Sequence, residues 1–303
     1  MNEISKLLPK IRGVYKFDEP LKKYTWLNVG GPAEVMFLPA DVEDLQDFLQ
    51  NKPQNMPVFV LGSGSNLLVR DGGIDGVVIK LENKSFQKWR IDGQKIYCGA
   101  GMQNRLLKQI LPANGLGGLE FLCSIPGSLG GAVRSNAGCF GVALSDVLVS
   151  ATVIDGKGTI FEVPVSEFHF AYRHSEFPAD WIVLELCLQC TTAGAEQIEE
   201  KIKQNDEYRK THQPQGIRTA GSTFKNPTGM RAWELIKNAG MAEVKIGGVR
   251  MSSQHCNFLE NDGTATASQI EELGEKIVAA VKQKYDVVLE WEVERIGKNS
   301  NGH

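Results

Sequence analysis

A turn of small residues between two apolar segments constrains the fold of this chain more than any other feature. Residues 58–61 are apolar and predict a short buried strand, which runs into Gly62, Ser63, Gly64, Ser65 and Asn66. Glycines reach backbone dihedrals that other residues avoid, and a ligand can approach their main chain closely. Such a turn can therefore present several main-chain N–H groups to one anion, and a phosphate is the obvious guest.

The turn does not match the dinucleotide fingerprint of a Rossmann fold. That fingerprint places a third glycine where this chain has Leu67, and it continues into a helix. Residues 68–71 instead predict a strand. We therefore expect an anion-binding turn between two strands.

Composition excludes several classes of function. The chain has 303 residues, 42% of them hydrophobic and 23% charged, which is enough for two or three globular cores. A net charge of -3, without a block of like charges, argues against nucleic-acid binding. No apolar run reaches the roughly 18 residues of a membrane span. The first residues do not resemble a secretory signal, so we expect a cytoplasmic protein.

The cysteines and histidines predict packing roles and no metal site. The six cysteines are scattered through apolar or glycine-rich contexts, which is typical of buried reduced thiols. Cys187 and Cys190 form a C-x-x-C motif, but on a strand-like segment residues three apart point to opposite faces. None of the five histidines lies four residues from another, so helical metal-site spacing is missing.

Periodicity predicts helices at 41–50, 102–113, 195–209, 231–240 and 268–285. The last of these begins with the capping-box pattern of Ser268 and Glu271. Hairpins are predicted at Asp92-Gly93 and at residues 155–158. Residues 1–23 suggest a helix and a linker, and residues 287–296 a closing strand.

A second glycine-rich stretch covers residues 115–141. It is too dense in glycine for a long helix or strand, yet it carries apolar residues throughout. A mobile loop is one interpretation. The embedded apolar residues favour a loop packed into a core, as in the wall of a ligand site.

Three polar segments could carry chemistry. Residues 221–227 place Ser222, Lys225 and Asn226 between a glycine and a proline, which could grip a phosphate or equally lead into a helix. Arg173 lies among aromatic and hydroxyl residues and could clamp a carboxylate, although a solvated arginine at a strand end fits as well. Residues 289–296 alternate glutamate with apolar residues, and this pattern alone does not mark any glutamate as catalytic.

These pieces resemble, in order from about residue 25 to 297, the MurB family of UDP-N-acetylenolpyruvoylglucosamine reductases of peptidoglycan synthesis. The matching motifs are residues 60–68, 118–122, 125–132, 136–138, 172–175 and 221–227, together with Glu292-Val293 ahead of Ile296-Gly297. One motif would be weak evidence, whereas the ordered set is specific.

The resemblance implies an α+β fold. A two-lobe FAD-binding domain of the vanillyl-alcohol oxidase (PCMH) type is followed by a C-terminal α/β substrate-binding lobe. We place lobe 1 at residues 1–83, lobe 2 at 84–212, the C-terminal lobe at 213–298 and a frayed tail at 299–303. Residues 189–221 are short and resemble the compact subtype, which lacks a tyrosine-bearing lid loop.

The resemblance also implies the reaction. NADPH reduces a noncovalent FAD, and the enolpyruvyl group of the UDP-sugar then takes hydride at C3 and a proton at C2. Arg173 and Glu292 are similar to the pair that stabilises the charge developing on the substrate, and Ser222 is similar to the proton donor. A carboxylic acid helps a developing anion only when protonated, so we expect a raised pKa for Glu292.

The family motifs carry further contacts over to this chain. Those implied for FAD are Thr25, Gly62, Ser63, Gly64, Ser65, Asn66, Leu67, Ile125, Pro126, Gly127, Gly130, Gly131 and Ala132. Those implied for the substrate are Lys225, Asn226 and Asn257. We expect the turn at residues 62–66 and the segment 125–132 to meet across one flavin.

Ser128, Ser135 and Cys256 depart from the family pattern, but none is a predicted catalytic residue. We expect a monomer that binds the UDP-sugar and NADPH, with no nucleic-acid or membrane partner. The alternatives are another flavin oxidase or dehydrogenase of the same fold, or a nucleotide-sugar binder without activity.

Overall fold

The helices lie close to the positions that amphipathic periodicity predicts, except that the α-helix expected at 102–113 begins only at Leu107. The computed structural model describes residues 3–300. The α-helices in this range are α1 (Val42–Asn51), α2 (Leu107–Ala113), α3 (Glu120–Ser124), α4 (Leu129–Arg134), α5 (Ala195–His212), α6 (Ala232–Asn238) and α7 (Ala267–Tyr285). Asp41 caps α1 by accepting a hydrogen bond from the Asp44 N–H, and Leu45, Phe48 and Leu49 form its buried stripe.

Two details of the helices differ from the prediction. The capping box of α7 joins Thr266 and Gln269 rather than Ser268 and Glu271. The reason is that Ser268 donates its hydroxyl to the Asp71 carboxylate, and the Glu271 carboxylate accepts from the Arg70 guanidinium. The periodicity of residues 195–209 predicts that Ile198, Ile202 and Tyr208 share the apolar face of α5; Ile198 and Ile202 are buried, but Tyr208 is exposed.

The strands are short, and many are joined by tight turns. Those of the described range are β1 (Val14–Pro20), β2 (Pro32–Leu38), β3 (Val58–Val60), β4 (Leu67–Val69), β5 (Ile74–Ile79), β6 (Trp89–Asp92), β7 (Lys95–Gly99), β8 (Leu116–Gly117), β9 (Gly138–Cys139), β10 (Val142–Ala143), β11 (Leu148–Ile154), β12 (Ile160–Pro164), β13 (Ile182–Gln189), β14 (Thr191–Thr192), β15 (Lys245–Ile246), β16 (Val249–Met251), β17 (Leu259–Asn261) and β18 (Glu294–Ile296). Both predicted hairpins form, β6 with β7 and β11 with β12.

The ends of the chain correct two expectations. Residues 14–20 form β1, at the edge of the sheet ordered β1-β2-β5-β3, where a helix and linker were predicted. The expected closing strand at 287–296 is reduced to β18, because residues 287–293 join no ladder beyond an isolated bridge between Phe224 and Trp291. Of the predicted tail, residues 301–303 lie outside the described residues.

The chain folds into two compact units, and each unit is built from three separate segments of the sequence. Of the described residues, unit 1 contains 3–17, 35–63 and 76–208, and unit 2 contains 18–34, 64–75 and 209–300. The boundary falls inside the first glycine turn, between Ser63 and Gly64.

Unit 1 is built on a five-stranded antiparallel sheet ordered β12-β11-β13-β7-β6. Its core packs the apolar faces of α1, α2 and α4 with the sheet residues, and includes Phe37, Phe48, Leu111 and Leu186. Strand β3 pairs in parallel with β5, so Val60 lies opposite Ile79. This register brings the start of the glycine turn beside the end of β5.

Unit 2 packs against the buried face of α7. The three-stranded antiparallel sheet β15-β16-β17 supplies one part of its structure, and the parallel pair β4 and β18 supplies another. Its core includes Leu68, Phe224, Ile270, Leu273 and Ile277. Gly274 allows the Trp291 ring to approach α7, because a Cβ at this position would lie 2.1 Å from Cζ2 of the ring.

All six cysteines are free, and Cys98, Cys123, Cys187 and Cys190 are buried. Burial raises the pKa of the Cys98 and Cys123 thiols to about 12. The packing role predicted from the sequence agrees with these positions. Among the described helices, none has both the length and the apolarity that crossing a membrane requires.

Candidate active site

The first half of the glycine turn, Gly62 and Ser63, lies in unit 1. Leu61 continues the ladder by donating its N–H to the Ile79 carbonyl oxygen at 2.8 Å. The Lys80 ammonium donates to the Gly62 carbonyl oxygen at 2.9 Å. Across residues 3–300, no acceptor is found for the main-chain N–H of Gly62 or Ser63. These two donors remain available to a ligand.

The second half of the turn lies in unit 2 and is packed against Thr25. Gly64 has a φ of 63°, and a Cβ there would lie 2.0 Å from the Tyr24 carbonyl oxygen, so only glycine fits. Thr25 is buried and donates its hydroxyl to the Val29 carbonyl oxygen at 2.8 Å. The N–H groups of Gly64 and Asn66 also have no acceptor in the described part of the chain.

Asn66 and Leu67 connect the turn to the C-terminal strand of unit 2. The Asn66 side-chain amide donates to the Glu292 carbonyl oxygen at 2.9 Å. The Asn66 carbonyl oxygen accepts a hydrogen bond from the Glu294 N–H at 3.0 Å. Leu67 is buried and lies opposite Glu294 in the β4–β18 pair. The turn and Glu292 therefore share one framework.

The second glycine-rich segment, residues 125–132, lies in unit 1 as a loop leading into α4. The N–H groups of Leu129 and Gly130 donate to the carbonyl oxygens of Met102 and Ala100. Ala132 donates to the Ser128 carbonyl oxygen, and Ile125 to that of Leu122. These four N–H groups are therefore used by the protein.

Other N–H groups of this segment stay open. Those of Gly127, Ser128 and Gly131 find no acceptor within residues 3–300. Gly127 has a φ of 140°, a region that favours glycine. A Cβ added to Gly131 would lie 3.5 Å from the Ser128 Oγ, an ordinary van der Waals contact. The backbone of this segment is thus accessible to a ligand.

The two glycine-rich segments lie together in unit 1. A Cβ added to Gly62 would lie 3.0 Å from the Ser128 Oγ. Gln103 forms an isolated bridge with Ser128, and its side-chain amide donates to the Ser63 Oγ at 2.9 Å. The open N–H groups of Gly62 and Ser63 therefore lie near those of Gly127 and Ser128. A cluster of this kind suits a polyanion such as a pyrophosphate.

Three polar residues at this cluster were missed by the sequence analysis. They are Lys80, Gln103 and Asn104. Asn104 is buried, donates its side-chain amide to the Ile125 carbonyl oxygen at 3.1 Å and donates its N–H to that of Gly127 at 3.0 Å. Its Oδ1 has no hydrogen-bond partner in the described residues. In the sequence, Lys80 is marked only by its place directly after the apolar run of β5. Gln103 and Asn104 are marked only by their place shortly before α2.

Arg173 lies in unit 1 at the tip of a two-residue turn. Ala171 and His174 exchange both main-chain hydrogen bonds around it. Arg173 has a φ of 54°, which is strained for a residue with a side chain. Its guanidinium donates to the Gly138 carbonyl oxygen at 2.6 Å. The turn is also held by Asn136, whose amide donates to the Ala171 carbonyl oxygen.

Ser222 and Glu292 are brought together within unit 2. Residue 222 bridges to Phe258, and the Thr223 carbonyl oxygen accepts the Glu292 N–H at 2.8 Å. Both side chains are partly exposed. The Ser222 hydroxyl makes no hydrogen bond with the described residues, so it is available to a ligand. The Ser222 hydroxyl and the Glu292 carboxyl group therefore belong to two backbone segments that are hydrogen-bonded to each other.

Lys225 and Asn226 continue this segment. The Lys225 N–H donates to the Glu290 carbonyl oxygen, and its ammonium lies 3.5 Å from a Glu290 carboxylate oxygen. The Asn226 Oδ1 accepts the Ala232 N–H at the start of α6. The helix lead-in and the polar-site interpretations of residues 221–227 are therefore both present in the structure.

Asn257 holds this segment from the other side. It is 3% exposed. Its Oδ1 accepts the Phe224 N–H at 3.0 Å, and its Nδ2 donates to the Phe224 carbonyl oxygen at 2.8 Å. The Asn257 carbonyl oxygen also accepts the Thr223 N–H at 2.7 Å. Because both ends of the side-chain amide are used, its geometry is that of a residue that orders the Ser222 segment.

His255 packs beside Asn257. Its ring lies 4.7 Å from the Phe258 ring, and its Nδ1 accepts the Asn257 N–H at 3.2 Å. Burial lowers the pKa of His255, which keeps the ring neutral. In the described residues, no group of three or more His, Cys, Asp or Glu side chains is placed to hold a metal ion.

Comparisons with known proteins identify both parts of the chain. A family model for an FAD binding domain matches residues 33–164, and the model for the C-terminal domain of UDP-N-acetylenolpyruvoylglucosamine reductase matches residues 213–296. The chain is 43% identical over 299 residues to the enzyme of that name from Maricaulis maris, covering 97% of this chain and 95% of that protein. It is 45% identical over 290 residues to the one from Parvibaculum lavamentivorans, covering 96% and 93%.

Solved structures agree. The crystal structure of UDP-N-acetylenolpyruvylglucosamine reductase (MurB) from Thermus caldophilus superposes with a TM-score of 0.82 at 34% identity, covering 95% of this chain and all of that one. 6-Hydroxy-D-nicotine oxidase from Arthrobacter nicotinovorans shares the fold alone, with a TM-score of 0.56 at 13% identity over 93% and 87% of the two chains. The fold is thus the predicted α+β arrangement with a flavin-binding domain of the vanillyl-alcohol oxidase type. The chain belongs to the MurB family of UDP-N-acetylenolpyruvoylglucosamine reductases.

Proposed function

We propose that this protein reduces the enolpyruvyl group of UDP-N-acetylglucosamine enolpyruvate to give UDP-N-acetylmuramate in peptidoglycan precursor synthesis. FAD is its noncovalent cofactor and NADPH its reductant. The observation that carries the proposal is identity above 40% to named reductases over nearly the whole of both chains. We place the reaction in the cytoplasm and expect a monomer.

The residues of the turn region fit FAD. The open N–H groups of Gly62, Ser63, Gly127, Ser128 and Gly131 suit the pyrophosphate, and those of Gly64 and Asn66 belong to the same turn. Gly130 and Ala132 would contact the flavin through atoms other than their N–H groups. These residues would hold the pyrophosphate of FAD, whose flavin would supply the hydride-transfer chemistry between NADPH and the substrate.

The chain's own polar residues are proposed to handle charge and protons. Arg173 offers a planar fork of N–H donors for the substrate carboxylate, where negative charge grows during the reaction. Glu292 assists when protonated. Ser222 is proposed to donate the proton to C2, and its hydroxyl has no competing partner in the described residues. A serine is a weak acid, so a nearby cation or water must support the transfer.

The substrate contacts are proposed for two of the three predicted residues. Lys225 and Asn226 are partly or fully exposed beside Ser222 and are suited to bind the UDP-sugar. For Asn257 we propose a positioning role, because Phe224 uses its side-chain amide. We also propose that residues 1–83 and 84–212 form the two FAD-binding lobes and that residues 213–298 form the substrate-binding lobe. Residues 189–221 consist mainly of β14 and α5, which is consistent with the compact subtype.

Visible absorption tests the proposal directly. The purified protein should be yellow, bleach with NADPH under anaerobic conditions and regain its colour when the enolpyruvyl sugar nucleotide is added. Acid precipitation should release the flavin into the supernatant. Failure to bleach, or bleaching without recovery on adding substrate, would contradict the proposed reaction, and flavin retained in the pellet would point to another flavin oxidase.

A further inference from the structure

Lys80 is a partly buried cation that is hydrogen-bonded to the glycine turn. It follows β5 directly, and its ammonium donates to the Gly62 carbonyl oxygen at 2.9 Å. Burial lowers the pKa of this ammonium, and the nearby Glu82 opposes that shift. An ammonium is costly to desolvate, and the hydrogen bond to the Gly62 carbonyl oxygen offsets part of that cost.

The contact fixes the direction of the next N–H group. In a trans peptide, the carbonyl and the following N–H point to opposite sides. Because the Gly62 carbonyl points to Lys80, the Ser63 N–H points away from it. That N–H has no acceptor among the described residues. The hydrogen bond also turns a carbonyl oxygen, which would repel an anion, toward a positive charge.

The turn held in this way belongs to the cluster of open N–H groups. Gly62 lies against Ser128 of the second glycine-rich segment, as the 3.0 Å approach of an added Cβ to the Ser128 Oγ shows. A pyrophosphate bound by these groups carries two negative charges, which a lysine within the same unit stabilises at short range. Hydrogen bonds also polarise one another, so an ammonium on the Gly62 carbonyl strengthens the Ser63 N–H as a donor.

We propose that Lys80 is a positioning residue for the FAD pyrophosphate: it orients the Gly62–Ser63 peptide toward the phosphates and supplies a positive charge behind it. The inference rests on FAD being the cofactor. It concerns the phosphate end of FAD and not the isoalloxazine ring. Lys80 should therefore distinguish FAD from riboflavin, which has the same ring but no pyrophosphate.

Flavin binding to the full-length apoprotein tests this role, with riboflavin as the second ligand. We expect Lys80→Met to weaken FAD binding roughly 10- to 100-fold, the size of a lost hydrogen bond to a charged group. Riboflavin affinity should change less than about 2-fold, because its contacts do not involve the phosphate-binding turn. Lys84→Met removes an exposed lysine four positions later and should leave both affinities unchanged.

Two further variants separate charge from hydrogen bonding. Lys80→Arg keeps the cation and should retain most of the FAD affinity, whereas Lys80→Gln keeps a donor but loses the charge and should fall between Lys80→Arg and Lys80→Met. If Lys80→Met does not fold, Lys80→Gln carries the test. Equal weakening of FAD and riboflavin, or unchanged FAD affinity, would overturn the role of Lys80. An unmodified apoprotein that binds no FAD would instead overturn the proposed function itself.

Discussion

The side-chain amide of Asn66 donates a 2.9 Å hydrogen bond to the main-chain carbonyl oxygen of Glu292. Asn66 ends the anion-binding turn, and Glu292 is the proposed acid of the substrate site. A second bond, from the Glu294 N–H to the Asn66 carbonyl oxygen, fixes the same register. Asn66 therefore ties the end of the turn to the backbone that carries Glu292.

Replacing Asn66 should disturb the substrate reaction more than flavin reduction. Asn66→Ala leaves the Glu292 carbonyl without its donor, which should lower the free energy of unfolding by about 1 kcal/mol. Stopped-flow kinetics should show slower reoxidation by substrate and a smaller change in reduction by NADPH. Asn66→Asp, which replaces the donor with a carboxylate beside the anion-binding turn, should weaken FAD binding as well and so lose more than Asn66→Ala. An equal slowing of both half-reactions would argue against a specific effect on Glu292.

Ser222→Ala should stop the reaction after the flavin has been reduced. NADPH should bleach the flavin at the normal rate, whereas reoxidation by the enolpyruvyl substrate should slow by about 100-fold or more, as expected for the loss of a general acid. Single-turnover absorption measurements give both rates. Ser253→Ala, at an exposed position of the same unit, is the matched control. Normal reoxidation in Ser222→Ala would remove Ser222 from the role of proton donor.

Asn257→Ala should destabilise unit 2 and impair the Ser222 segment. It leaves the buried N–H and carbonyl of Phe224 without partners, at a cost of about 2 to 4 kcal/mol. Urea denaturation measures this loss, and kcat should fall more than KM rises. Asn238→Ala, an exposed asparagine at the end of α6, should be neutral. A large rise in KM with unchanged stability would favour a direct substrate contact instead.

His255 should make stability dependent on pH. Its pKa is lowered in the folded state by burial, so below about pH 6.5 the unfolded chain binds a proton that the folded chain does not. The free energy of unfolding should therefore fall as the pH drops from roughly 7 to 5, and this slope should be smaller in His255→Gln. His212→Gln, at an exposed position, should keep the wild-type slope. Identical slopes in all three proteins would contradict the prediction.

Gly274→Ala should destabilise the protein although alanine favours helices. The added Cβ would lie 2.1 Å from the Trp291 ring, so the gain in helix propensity of about 1 kcal/mol is offset by overpacking of about 1 to 3 kcal/mol. Trp291→Phe removes the ring atoms concerned, so Gly274→Ala should cost less in that background. Thermal or urea unfolding of the four proteins forms a double-mutant cycle, and simple additivity would exclude the clash.

The glycine turn shows how far the sequence predicts this site. The apolar run before Gly62 and the strand after Asn66 were readable because strands and small-residue turns leave local patterns. The contact of Lys80 with Gly62 was not, because it depends on the parallel register of β3 with β5. In the same way, the family motif implied a substrate contact for Asn257. Its hydrogen bonds with Phe224 could not be predicted, because the two residues are 33 positions apart in the sequence.

The fold departs from the prediction where tertiary contacts override local preference. β1 carries several charged residues and little alternation, and it exists because the sheet pairs with it. α4 forms at two consecutive glycines, Gly130 and Gly131, since bonds to Met102 and Ala100 hold its first turn. Helices with a clear apolar stripe, such as α1, were predicted almost to the residue.

The pairing of β4 with β18 has a consequence for how the protein is made. Leu68 lies opposite Arg295, and Leu27, Val29 and Leu68 all belong to the core of unit 2. A ribosome adds about 5 to 20 residues each second, so these segments wait roughly ten seconds or more for their partner strand. Unit 1 ends at Tyr208 and can fold in the meantime. Translation that ends before residue 294 would leave the β4 edge bare, which makes prematurely terminated chains candidates for aggregation and proteolysis.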